Sequence, residues 1–109
     1  MTSVRWIVTG TVQGVFFRKH TVEAVERINK ARTDDSAALV GFVRNIRKPE
    51  CVEVVAHGTA EQLDALHAFL QCGSPKAQVA SVTRTELAAH DPAAMSVAQM
   101  TRFEQEATR

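Results

Sequence analysis

The chain has 109 residues, of which 45% are hydrophobic and 23% are charged, and its formal net charge is +1. A chain of this length can bury one core but not two, so we expect a single globular domain spanning residues 1–109. The near-zero net charge supplies no broad field for nucleic acid or an acidic membrane, and any anion site must therefore be local.

The N-terminal segment predicts a strand, a glycine-bracketed loop and a helix. The strand is expected from Val4 to Thr11, and helical spacing of apolar residues predicts the helix from Lys19 to Arg32. Between them, Gly10 and Gly14 allow the loop to curl, while a helix N-terminus exposes N–H groups that no helical bond uses. Because Arg18 stands beside those donors, the loop is suited to binding a phosphate.

The rest of the chain predicts three more strands and one more helix. In chain order we expect a polar loop at 30–38, a strand at 39–46, a turn at 47–50, a strand at 51–57, a helix at 61–71 and a strand at 79–87. Gly73 should form a left-handed helix cap, and His90-Asp91-Pro92 should break the chain. Residues 100–107 fit either a final edge strand or a helical tail, and the pattern does not decide.

This β-α-β-β-α-β order predicts an α+β fold of the ferredoxin-like kind, an antiparallel sheet with both helices on one face and a possible fifth C-terminal strand. Cys51 and Cys72 are too few for a disulfide framework, and neither a signal peptide nor a membrane-spanning run is expected. We therefore expect a cytoplasmic protein, acting as a monomer without membrane or nucleic-acid partners. No His, Cys or Asp cluster has metal-ligand spacing, so no metal or other cofactor is expected.

Three short motifs resemble the signature of the acylphosphatase family. The first is Gly-Thr-Val-Gln-Gly-Val-Phe-Phe-Arg at 10–18, continued as Lys-His-Thr; the second is Gly-Phe-Val-Arg-Asn at 41–45; the third is Gly-Ser-Pro at 73–75. The resemblance covers about residues 4–86, and the motifs occur in the family's order. It implies the ferredoxin-like fold and the hydrolysis of a small-molecule acyl phosphate to a carboxylate and inorganic phosphate.

The resemblance also implies the roles of particular residues. Arg18 would bind the phosphate, and Asn45 would hold the attacking water. The remaining phosphate contacts would come from the main chain of the loop, at Gln13, Gly14, Val15, Phe16 and Phe17. Phe16 and Phe17 form an aromatic pair suited to contact the substrate, and one of the two should pack into the core, because burying a Phe side chain stabilises a fold by about 1.5–3 kcal/mol. Trp6 is expected in the core, and Lys19 and Arg44 are expected to be solvated.

Residue chemistry fits a reaction without a covalent intermediate. The loop has no Cys or Ser paired with a base, and an asparagine amide can orient water but cannot act as a general base. A carboxyl phosphate is already an activated mixed anhydride, so clamping the phosphate and positioning a water could suffice. The phosphate itself could accept the water's proton, as is thought for the family.

Two other functions remain to be weighed. A non-catalytic phosphate-binding module is favoured by Ile46, which stands where the family usually has a threonine. An RNA-binding domain has the same element order, but here Arg44-Asn45 replaces the aromatic residue that its strand motif requires, and 51–57 carries no aromatic platform. The loop at 30–38 is also longer than the family's usual turn, and Phe103 alone keeps the expected aromatic character of the C-terminal segment.

Overall fold

The computed structural model describes residues 1–32 and 37–109, which form five strands and three helices. In chain order they are β1 (Thr2–Thr11), α1 (Phe17–Ala31), β2 (Val40–Arg47), β3 (Glu50–Gly58), α2 (Ala60–Cys72), β4 (Gln78–Leu87), α3 (Pro92–Ala98) and β5 (Phe103–Gln105). Of the predicted loop at 30–38, residues 33–36 lie outside the described part. No described helix is long and apolar enough to cross a membrane.

The strands form one sheet in the order β4-β1-β3-β2-β5. The pairs of β1 with β3, β1 with β4 and β2 with β3 are antiparallel, whereas β5 pairs parallel with β2. The ferredoxin-like prediction is therefore confirmed, with one parallel pair that makes the sheet mixed.

One face of the sheet carries the main core and is covered by α1 and α2. Its centre is a row of register partners, Trp6 beside Val54 and Val54 beside Val43, and all three are fully buried. The helices contribute Val25 from α1 and Leu66 from α2 to the same cluster. Trp6 is thus a core residue as predicted, and its indole N–H donates to His67 Nδ1 at 3.0 Å.

The short helix α3 lies against the opposite face, where Val97 packs with Phe42 and Val55. The chain does break here, since β4 ends at Leu87 and Pro92 starts a new element, but the prediction of only two helices was wrong. Asp91 is the N-cap and accepts a hydrogen bond from the Ala93 N–H at 2.8 Å, while Pro92 begins the helix. Asp followed by Pro ends one element but is also a helix-start signal, because proline needs no N–H in the first turn.

Arg44 was predicted to be solvated, and this was also wrong. Its guanidinium is 2.6 Å from a Glu53 carboxylate oxygen on the adjacent strand and stacks 4.9 Å from the centre of the Phe42 ring. Only 17% of the side chain is exposed. Register explains the error, since Arg44 lies directly opposite Glu53 on the face that α3 covers in part.

The C-terminal segment is a strand rather than a helical tail. After β5 it continues along β2, because the Glu106 N–H donates to the Val43 carbonyl and the Arg109 N–H donates to the Asn45 carbonyl, each at 2.9 Å. The Arg47 N–H in turn donates to the Arg109 carbonyl at 3.2 Å. This pairing brings the C-terminus beside the strand that carries Asn45.

Candidate functional site

The loop between β1 and α1 turns through two residues of positive φ. Gly14 has φ 74°, and Phe16, the N-cap of α1, has φ 58° and ψ 29°. The turn ends as the helix begins at Phe17, so the N–H groups of the first helical turn have no intrahelical acceptors and can bind an anion. The first turn contains no acidic residue that would oppose negative charge.

Side-chain hydrogen bonds join this loop to two distant segments. Gln13 donates through Nε2 to the carbonyls of Ile46 at 2.8 Å and Cys51 at 3.0 Å, which ties the loop to the β2–β3 hairpin. The buried Ser74 hydroxyl donates to the Val15 carbonyl at 2.8 Å. The Gly-Ser-Pro motif therefore acts on the loop directly, a role that the sequence prediction did not assign to it.

The two phenylalanines have opposite environments. Phe17 is 2% exposed and packs in the core, where its ring lies 6.2 Å from that of Phe69. Phe16 is 72% exposed.

Gly73 has the expected positive φ of 72°, but its ψ of −157° is not that of a left-handed cap. A side chain at Gly73 would overlap the Phe17 ring, so close packing explains the glycine.

Arg18 is oriented by the C-terminal segment. Its Nη1 donates to the Glu106 carbonyl at 2.8 Å, leaving the other guanidinium donors for a ligand. Sequence reasoning missed this contact, because it joins residues 88 positions apart through a strand whose existence was left open. The permanent positive charge of a guanidinium and this fixed orientation together suit phosphate binding.

Asn45 lies two residues after Val43 on β2, and so on the sheet face that α1 and α2 cover. It is 9% exposed. Its Oδ1 is buried and has no hydrogen-bond partner among the described residues. A buried amide oxygen without a donor is costly, so this atom is an acceptor available to a water or ligand.

Arg18 and Asn45 line the same cavity, which has a volume of about 330 Å³. Of the other predicted phosphate-binding residues, Gly14, Phe16 and Phe17 line it, whereas Gln13 and Val15 do not. The lining is completed by Val12, Lys19 and Gln105. Lys19 is exposed as predicted, but it also contributes charge at the cavity.

The charges around this cavity favour an anion. Its described lining has two cationic side chains, Arg18 and Lys19, and no carboxylate. Burial, together with the nearby Glu53 carboxylate, raises the pKa of the Cys51 thiol, which disfavours a nucleophilic thiolate. No group of three His, Cys, Asp or Glu among residues 1–32 and 37–109 could hold a metal ion.

A larger cavity of about 510 Å³ on the opposite face is less suited to an anion. Its cationic lining residues are Arg5, Arg44 and Arg109, and the guanidiniums of the first two lie within 3.0 Å of the buried Glu53 carboxylate. The lining also contains two carboxylates, Asp91 and Glu106, and the second lies 3.7 Å from Arg44. Because these charges already compensate one another, the cavity that Arg18 lines is the better candidate for binding an anion.

Comparison with known proteins gives one consistent family. The sequence model described as Acylphosphatase matches residues 4–97, which extends past the predicted 4–86 to include most of α3. A curated acylphosphatase from Xanthomonas campestris pv. campestris is 46% identical over 88 residues, covering 81% of this chain and 89% of the relative. An acylphosphatase from Xanthomonas euvesicatoria is 43% identical over the same length and coverage.

Solved structures agree with the sequence comparison. The structure of an acylphosphatase from Coxiella burnetii has a TM-score of 0.75 at 28% identity, covering 96% of this chain and 92% of the other. The crystal structure of acylphosphatase from Bacillus subtilis has a TM-score of 0.74 at 27% identity, covering 97% and 99% respectively.

Proposed function

This chain belongs to the acylphosphatase family, and from that premise we propose how its own residues hydrolyse the carboxyl–phosphate bond of an acyl phosphate. Arg18 and the main-chain N–H groups of residues 13–17, of which Gly14, Phe16 and Phe17 line the cavity, bind the phosphate, and Asn45 holds the attacking water. The observation that carries the proposal is the unpartnered Asn45 Oδ1, which is buried in the lining of the cavity that Arg18 also lines.

Arg18 acts as the phosphate clamp. Its guanidinium is anchored at one nitrogen by the Glu106 carbonyl, so little side-chain freedom is lost when the remaining donors engage phosphate oxygens. Main-chain N–H groups of the loop and of the first turn of α1 add donors that do not need to reorganise. Together they neutralise the negative charge that would otherwise repel an approaching water oxygen.

Asn45 acts on the water. Its Oδ1 accepts one water O–H, which directs an oxygen lone pair toward phosphorus. The water oxygen forms a bond to phosphorus, the bond between phosphorus and the acyl oxygen breaks, and the carboxylate leaves with that electron pair. The water proton passes to a phosphate oxygen, so the products are a carboxylate and inorganic phosphate, and no side chain needs to act as a base.

The alternative of a non-catalytic binding module rested on Ile46. In the fold, the main-chain carbonyl of Ile46 accepts a hydrogen bond from the Gln13 side chain of the loop. This contact does not depend on the side chain of Ile46. The named relatives are enzymes of the acylphosphatase class. An enzyme is therefore the better interpretation.

We also propose that the protein acts as a cytoplasmic monomer on a small molecule. Both cysteines are free thiols, and Cys72 is exposed, which fits a reducing compartment. Size-exclusion chromatography coupled to light scattering tests the oligomeric state.

The function is tested by steady-state hydrolysis of benzoyl phosphate by the purified protein. We expect turnover, competitive inhibition by inorganic phosphate, and full activity in EDTA, because Arg18 and main-chain donors supply the positive charge. Absence of hydrolysis would overturn the proposed activity. Activity lost in EDTA and restored by a divalent metal would overturn the proposed mechanism.

A further inference from the structure

Phe16 combines two unfavourable properties. Its backbone is left-handed, with φ 58° and ψ 29°, and it alone among the described non-glycine residues has a positive φ. Its side chain is 72% exposed, whereas Phe17 beside it is buried. The other exposed large apolar residues that the structure describes, Met1 and Met95, do not line the cavity.

Folding does not account for an aromatic residue at this position. A glycine would adopt this φ and ψ without steric cost, and a ring that stays in water contributes little hydrophobic stabilisation. Backbone strain in a native fold is concentrated at binding and catalytic sites. Two independent observations, conformation and exposure, therefore point to a role for the ring outside folding.

The position of Phe16 on the cavity suggests what the ring contacts. The Asn45 Oδ1 atom is buried, so a water bound to it would approach phosphorus from the inner side of the cavity. In a phosphoryl transfer, the attacking and leaving oxygens lie roughly in line on opposite sides of phosphorus. The acyl group would then extend toward the open side of the cavity, where the exposed Phe16 contributes to the lining.

We propose that the Phe16 ring is a platform for the acyl group and makes the enzyme select acyl phosphates with aromatic or extended apolar acyl chains over small ones. This inference rests on the proposed function. The ring presents a flat apolar face at a low conformational-entropy cost, because a Phe side chain has only two rotatable bonds, and an aromatic acyl group can stack on it. Acetyl phosphate offers a single methyl group and gains much less.

The test compares the kcat/KM ratio of benzoyl phosphate to acetyl phosphate among variants. We expect Phe16→Ala and Phe16→Gly to lower this ratio by about 3- to 10-fold, the range that an aromatic contact contributes. Phe16→Tyr should keep the ratio, because it retains the ring. Met95→Ala, which removes another exposed apolar side chain, is the matched control and should also keep it.

The ratio is used because main-chain changes at Phe16 would affect both substrates through the phosphate contacts. The melting temperature of Phe16→Gly should equal or exceed that of the native protein, which separates binding from folding. If the native protein hydrolysed benzoyl phosphate but Phe16→Ala and Phe16→Gly left the kcat/KM ratio unchanged, the proposed role of Phe16 would be wrong and the proposed function would stand. If the native protein hydrolysed neither compound, the proposed function would fall and the platform with it.

Discussion

The Arg18 guanidinium and the Glu106 main-chain carbonyl form a hydrogen bond of 2.8 Å. Because Glu106 also donates from its N–H to the Val43 carbonyl, the C-terminal segment links the strand that carries Asn45 to the helix that carries Arg18. The relative placement of the two proposed site residues therefore depends on a strand of three residues and the chain that follows it.

Glu106→Pro is expected to weaken phosphate binding. Proline removes the N–H that pairs with Val43, a loss of about 1 kcal/mol, and displaces the carbonyl that orients Arg18. The inhibition constant for phosphate should therefore rise several-fold. Glu106→Ala is the control, since it keeps both main-chain groups and removes only the carboxylate 3.7 Å from Arg44. Equal inhibition constants for the two variants would argue against positioning by the main chain.

Arg18→Lys should be a poor enzyme, and Arg18→Ala a worse one. Lysine keeps the charge but loses the planar fork, so phosphate affinity and turnover should fall together, by roughly 100-fold or more for alanine. Arg27→Lys makes the same change at an exposed position of α1 and should leave both parameters unaltered. Near-normal kinetics of Arg18→Lys would show that Arg18 is not the clamp.

Local patterns were enough to predict four strands, two helices and the loop at 10–18. They failed where one signal had two meanings: Asp91-Pro92 was interpreted only as the break after β4, and its second role as the start of α3 was missed. They also failed where an assignment depended on register. Arg44 is shielded because it faces Glu53, and neither that pairing nor the contact of Arg18 with Glu106 can be read from neighbouring residues.

Ser74→Ala should destabilise the fold and loosen the loop. The change leaves the Val15 carbonyl without its 2.8 Å partner at a site where Ser74 is almost fully buried, which costs about 1–3 kcal/mol. The melting temperature should fall and the phosphate inhibition constant should rise. Ser81→Ala, which loses an exposed hydroxyl contact with Thr9, should change neither appreciably. If Ser74→Ala changed the melting temperature and the inhibition constant as little as Ser81→Ala does, the Ser74 hydroxyl would not hold the loop in place.

Stability should decrease in mild acid partly through His57. Burial, with a smaller contribution from the N-terminal amino group, lowers the pKa of His57 below its ordinary 6.5. The unfolded chain therefore binds a proton on His57 more readily than the folded protein does. The contribution of His57 to the free energy of unfolding is complete above pH 6.5 and is lost as the pH falls through the folded-state pKa.

Urea unfolding at pH 7.5 and at pH 5.5 measures this effect. The free energy of unfolding should fall less between the two pH values in His57→Gln than in the native protein. Comparing the pH dependence, rather than absolute stability, allows for the lost contact of His57 with the Ser3 hydroxyl. The same decrease in both proteins would assign the acid sensitivity to other groups.

The most direct measurement of the central claim is the kinetics of Asn45→Ala with benzoyl phosphate, combined with its phosphate inhibition constant. Asn45 is proposed to touch the water and not the phosphate, so kcat should fall by roughly two orders of magnitude while the inhibition constant stays near native. Because its Oδ1 has no protein partner among the described residues, the melting temperature should change little. A variant that binds phosphate and hydrolyses benzoyl phosphate at native rates would contradict the proposed role of Asn45 in holding the water.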